Sequence, residues 1–236
     1  MNTEEFSNRF DVLIHNYANA GTFGSVPYLT FDEYEKSLFL TQAQEELILE
    51  LYTGKNQFGE GFEKTEEIRR YLSNIVKTEE LSHKSLDYTG VSKNSVFFEL
   101  PEDLWFRTGE TATIIDNSYK CHSDSLREVT VLPVTQDTFV RTKRSPFRGP
   151  NEKRILRLDS TNRQVELISN YEIHSYTIRY LSRPEPIILV QLPQGLTIGG
   201  KSSPQTCLLN TAIHKAILSK AVLIAKSSWE SENNKG

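Results

Sequence analysis

Cysteine is nearly absent from this chain of 236 residues, with only Cys121 and Cys207 present. Two thiols far apart in sequence cannot make a disulfide framework, and synthesis in a reducing cytoplasm is the expectation. Long apolar runs are also missing. None approaches the ~20 residues needed to cross a bilayer, so no membrane span is expected. The opening MNTEEFSNRF is acidic and has no apolar core, so no secretory signal is expected. Catalytic signatures are absent too: there is no G-x-S-x-G elbow and no H-E-x-x-H. Cys121-His122-Ser123-Asp124 is a possible metal fragment, but a structural zinc site needs a second ligand pair. His15, His83, His174 and His214 are scattered, so neither a metal nor a cofactor is expected.

What the chain does have is charge, unevenly spread. Hydrophobic content of 37% and charged content of 25% fit one sizeable globular domain, or one domain with a lobe. The net charge of −4 hides an asymmetry. Residues 1–67 hold 13 Asp/Glu against 4 Lys/Arg, a balance of −9, and the remainder carries +5. Such a division fits complementary patches between subunits, and it equally fits two ordinary solvated faces.

Helical signals dominate the first third. Phe6, Phe10, Leu13, Ile14 and Tyr17 mark one face of a helix from Thr3 to about Asn19. Gly21 and Gly24 break it. Thr30-x-x-Glu33 and Thr41-x-x-Gln44 read as successive capping boxes for helices near 31–39 and 42–53, with Gly54 as the stop. Paired acids such as Glu45–Glu46 and Glu66–Glu67 fall on helix surfaces, where solvation is the default. A fourth helix is expected over Thr65–Val76. A polar linker then runs to Asn94.

From Ser95 the pattern becomes β-type. SVFFEL, WFRTGETATIID, VTVLPV, RILRLD, QVELIS and SYTIRYL are rich in Val, Ile, Phe, Tyr and Thr. RILRLD and QVELIS, separated by STNR, predict a hairpin, and Thr135–Thr142 predicts a short helix. Trp105, close to Phe97, Phe98 and Phe106, suits a core or a subunit contact better than a ligand platform. After a last apolar run, PIILVQLP, the helical period returns from Cys207 to about Trp229. Leu209, Ile213, Ala216, Ile217, Ala221 and Ile224 mark its buried face. The expected class is α+β: an N-terminal helical bundle completed by a C-terminal helix, with a central antiparallel β-rich domain. The expected spans are 1–80, 81–206, 207–230 for the returning helix, and 231–236 for a frayed tail.

Two candidate sites remain. Gly195-Leu-Thr-Ile-Gly-Gly200-Lys201-Ser202 matches the phosphate-cradling G-x-x-x-x-G-K-[ST] letter for letter. Pro193 and Pro204 flank it, only 34 residues follow Ser202, and the alternating β/α pattern of such enzymes is missing. It reads as a chance match, and the rival it leaves is a nucleotide-binding enzyme. The second candidate is basic: Arg141, Lys143, Arg144, Arg148, Lys153, Arg154 and Arg157, interleaved with Phe139 and Phe147. A contact with an acidic neighbouring subunit ranks first for it, a solvated loop second, and direct DNA contact third, because a pI near 5.8 does not favour a nucleic-acid binder.

Longer segments carry a resemblance. FDEYEKSLFLTQAQEELILELYTGKN, FEKTEEIRRYLSNIVKT, SVFFELPEDLWF, VLPVTQDTFVRTKRSPFRGPNEKRILRLD, YLSRPEPIIL and HKAILSKAVLIAKSSW resemble, in that order, a structural protein of crAss-like bacteriophages. The resemblance implies a non-enzymatic virion protein of the head–tail junction, similar to connector or adaptor subunits that form rings. It implies a homo-oligomeric ring of twelve copies, a portal protein and adjacent tail or ring proteins as partners, and packaged DNA passing through the lumen. Another neck or tail component is the alternative within that class. No catalytic residue and no cofactor come with it. A closed ring needs heterologous contacts, which the −9 and +5 segments would suit. Acidic helices lining the channel would instead keep DNA from sticking.

Overall fold

The computed structural model describes residues 1–19, 30–56, 59–84, 90–91, 95–115, 126–161 and 163–233. Cys121, His122 and Asp124 lie outside the described residues. In chain order the helices are α1 (Thr3–Asn19), α2 (Glu33–Thr53), α3 (Glu66–Leu72), α4 (Gln136–Arg144) and α5 (His214–Asn233). The strands are β1 (Val76–Leu81), β2 (His83–Lys84), β3 (Ser95–Glu99), β4 (Leu104–Ile115), β5 (Leu126–Val134), β6 (Arg154–Thr161), β7 (Gln164–Ile168) and β8 (Glu172–Ser182). The fold is α+β. It divides into a helical unit, residues 1–75 with 184–236, and a β unit, residues 76–183.

In the helical unit α5 packs on α2 and α1. Phe6, Phe10 and Ile14 of α1 are buried, as their spacing predicts. The face of α5 is rotated from expectation: Ile217, Leu218, Ala221, Val222 and Ala225 are buried, while Ala216 is exposed. Where two helices were expected over 31–53 there is one. Its capping box is Asp32 with Glu35, not Thr30 with Glu33, and Gly54 ends it in the left-handed region at φ 79°. Nothing between Phe39 and Gln42 can break a helix. The Thr41 and Gln44 side chains, read as a second cap, do different work. Thr41 Oγ1 accepts from the Ile187 N–H (3.1 Å), and Gln44 Nε2 donates to the Glu185 carbonyl (2.8 Å).

Those bonds belong to a strap. Residues 184–209, expected within the β-rich span up to 206, lie in the helical unit and form no regular strand. Ile187, Ile188, Leu189, Leu192 and Ile198 bury their side chains there. Ser37 Oγ accepts from the Leu189 N–H (3.0 Å) and donates to the Glu33 carbonyl (2.6 Å). Cys207 Sγ bonds Gln44 Oε1, and burial pushes its thiol up to about 11.

The β unit is an eight-stranded sheet in the order β1-β8-β4-β5-β6-β7-β3-β2. Its pairings are antiparallel except β5–β6, which is parallel and bridged by α4. That one parallel pair departs from the all-antiparallel expectation. The two outer strands, β1 and β2, are consecutive pieces of one run with only Ser82 between them. One piece pairs β8 and the other pairs β3. Two residues span no more than ~7 Å, so the sheet curls until its ends meet. This run was expected as helix end and linker. Its polar VKTEEL carries no clear period, and its strand form is imposed by the β8 ladder. Leu81, Phe98, Ala112, Ile114, Val129, Val131, Ile155, Val165, Leu167, Tyr176 and Ile178 fill one face of the curled sheet. On the other face Phe139 of α4 covers Leu156, Leu158 and Ile168.

Candidate interaction surfaces

The phosphate-loop match is a turn without a following helix. Ile198 and Lys201 exchange backbone bonds across Gly199 and Gly200, which sit at φ 57° and 79°. Lys201 Nζ pairs with Glu185 rather than standing over an open cradle. The Ser202 carbonyl accepts from the Leu192 N–H (2.9 Å), and α5 begins only at His214. Gly195, Gly200, Lys201 and Ser202 are thus parts of the strap. No group of His, Cys, Asp and Glu that could hold a metal occurs among the described residues. No helix among them is long and apolar enough to cross a membrane.

The basic candidates divide into two groups. Arg157 leaves the cluster: it is 8% exposed and pairs with Glu110 on β4. Its second neighbour is Asp159, at 3.6 Å, which also binds Arg107 at 2.9 Å. The Tyr176 hydroxyl donates to Glu110 (3.1 Å), and burial beside that carboxylate raises its pKa. The alternation of β6 explains the burial, since Arg157 follows Ile155 onto the same face. These charges line a cleft of about 490 Å³. It opens because the β4–β5 ladder stops at Thr111–Thr130, although β4 reaches back to Leu104 and β5 on to Val134. Pro133 offers no N–H to extend that ladder, and the β4–β8 register slips between Arg107 and Gly109. Trp105 and Phe106 stack at its rim, with centroids 4.8 Å apart.

The remaining bases stay together on the outside. Arg141, Lys143 and Arg144 occupy the last turns of α4, where the negative end of the dipole favours them. Arg148 and Lys153 are exposed on the turns that lead into β6. Arg154 is spent inside the turn: its Nε and Nη2 donate to the Gly149 carbonyl at 3.3 and 3.2 Å, and Nη2 also reaches the Phe147 carbonyl. The Gly149 N–H donates to Ser145 O (2.8 Å), and the Arg148 N–H to Ser145 Oγ (3.2 Å). A Cβ on Gly149 would lie 2.7 Å from Ser145 O, so the tight turn demands glycine. Phe147 stands out of it, 86% exposed.

The helical unit carries the acidic counterpart. Glu46 and Glu50 on α2 share Lys220 of α5, at 3.3 and 2.6 Å. Glu67 on α3 accepts from the Tyr71 hydroxyl. Between these helices lies a cavity of about 410 Å³, walled by Leu47, Leu51, Tyr71, Ile213 and Ala216, with Glu50 at its edge.

The described residues thus carry two surfaces of opposite sign, one basic with an exposed aromatic and one acidic with an apolar hollow. The comparisons show the family. The chain belongs to the phage tail ring protein 3/4 family, whose model matches residues 1–236. It is 50% identical to Ring protein 3 of Bacteroides phage crAss001 over 226 residues, 95% of each chain. It is also 31% identical to Ring protein 4/5 of that phage over 242 residues, covering 98% of this chain and 95% of the relative. The resemblance read from the sequence therefore holds, and the chain is a phage ring protein.

Proposed function

We propose that this chain is a non-enzymatic virion subunit whose copies, twelve in number, close into a ring at the head–tail junction. In this reading the ring joins the portal to the tail, and packaged DNA passes through its lumen. The observation that carries it is membership of the tail ring family along the whole chain. Heterologous ring closure needs two unlike faces on one subunit, and the basic α4 turn and the acidic α2–α3 surface are unlike in the required way. Arg141, Lys143, Arg144, Arg148 and Lys153 contact an acidic helix of the neighbour or of the portal. Arg154 shapes their turn, and Arg157 serves the fold. One phage holds relatives named for different rings, and the higher identity to Ring protein 3 favours that level of the stack.

Negative-stain imaging with mass measurement tests the reading, on the chain alone and with a portal. Closed rings or portal-bound collars are expected, and a chain that stays monomeric in both settings would overturn it. Arg144→Glu with Arg148→Glu should prevent closure. Unchanged assembly would remove the basic turn from the interface.

A further inference from the structure

Phe147 is a large apolar side chain held in water by a turn made rigid around it. Five hydrogen bonds fix that turn: the Gly149 N–H to the Ser145 carbonyl, the Arg148 N–H to Ser145 Oγ, and three from two nitrogens of Arg154 to the Gly149 and Phe147 carbonyls. A side chain 86% exposed gains nothing for the fold, so the rigidity points to recognition. Preorganised aromatics flanked by arginine are the usual anchors of protein interfaces. Here Arg144 lies before Phe147 in the chain and Arg148 directly after it. The cavity between α2, α3 and α5 offers the complement: apolar walls from Leu47, Leu51, Ile213 and Ala216, and an acidic edge at Glu50, with Glu46 sharing its partner Lys220 and Glu67 bonded to the wall residue Tyr71. Lys220 answers only part of that acidic charge.

We infer that Phe147 of one copy inserts into the α2–α3–α5 cavity of the next copy, with Arg144 and Arg148 meeting the acidic edge. This inference rests on the ring reading and names the two faces that meet. The contact is heterologous, so it propagates from copy to copy until the ring closes. The buried aromatic supplies affinity, and the charges set orientation and approach.

The full-length chain carrying p-benzoylphenylalanine in place of Phe147 tests it, as a mixture of ¹⁴N- and ¹⁵N-labelled copies irradiated at assembling concentration. Mixed-isotope cross-links should map to the peptides of α2 or α5 that wall the cavity. Phe147→Asp should weaken self-association at least tenfold, while Phe147→Leu keeps most of it. The unfolding midpoint of both variants should match the parent, since the side chain is exposed. Assembled chains whose cross-links fall elsewhere, on DNA, or within one copy would overturn this contact and leave the ring reading standing. So would a Phe147→Asp chain that assembles as well as its parent. A chain that stays monomeric at every concentration, alone and with a portal, overturns the ring reading and this contact with it.

Discussion

The helical unit and the β unit solve the same problem, satisfying buried backbone, by opposite means. In the β unit the strands satisfy one another, and the curled sheet leaves few edges. The buried Arg157 and the nearly buried Glu110 there satisfy each other, while the buried Glu166 accepts from the Val91 N–H and the Ser95 hydroxyl. In the helical unit the strap at 184–209 has no ladder along most of its length. Where its own backbone bonds do not reach, its Ile187 and Leu189 N–H groups and its Glu185 carbonyl are met by Thr41, Ser37 and Gln44, polar side chains from a helix. The difference teaches that a buried polar residue means different things in the two units. At Arg157 it is an ion pair beside an opening in a sheet, and at Ser37, Thr41 and Gln44 a substitute for secondary structure.

The largest expected effect breaks the β side of this comparison. Arg157→Ala leaves Glu110 buried with only Arg107, at 3.7 Å, and Tyr176 beside it. It should cost about 3 kcal/mol in urea unfolding. Arg157→Met with Glu110→Leu should recover most of that loss. Hydrogen exchange should loosen peptides within 76–183 and spare those of the helical unit.

Gln44→Ala is the matching break on the helical side. It strands the Glu185 carbonyl and empties a fully buried position, so about 2 kcal/mol of stability should be lost. Exchange should now rise along 184–209. Ser37→Ala removes one bond to the Leu189 N–H, and about 1 kcal/mol is expected in the same assay. If either variant loosened the sheet as much as the strap, the contrast between the units would fail.

The smallest effect is a pH dependence confined to the helical unit. His214 is buried, its ring within 2.9 Å of the Met1 amine and of the Leu209 carbonyl. Burial above all holds its pKa below 6.5, the Met1 ammonium adds to this, and the Leu209 carbonyl opposes it. The unfolded chain therefore takes up the proton more readily. Stability from this group is complete above pH 6.5 and is lost as the pH falls below it. His214→Gln should flatten the stability profile between pH 7 and 5, measured by urea midpoints.

Much of this was legible in the chain. The apolar period of α1, the strand runs from β3 to β8, the short helix α4 and the stop at Gly54 follow from local residue choice. So did the family, because long segments keep their order. The polar residues were legible only as types. Thr41 and Gln44 have the spacing of a cap, and nothing local says that a segment some 140 residues later needs their hydrogen bonds. Arg157 looks like its neighbours Arg154 and Lys153, and only the pleat of β6 and a facing Glu110 turn it inward. The exposure of Phe147 was invisible for the same reason. A phenylalanine between two arginines reads as core or surface until the turn around it is built.

The sequence by itself determined most of the element types, the α+β class and the family, because these depend on periodicity and composition within short windows. The tertiary structure decided which polar groups are spent on the fold and which face outward. It closed the sheet through the single run 76–84, moved the strap into the helical unit, and separated Arg157 from the bases that remain exposed. Burial and pairing are relations between residues far apart in the chain, and no local pattern encodes them.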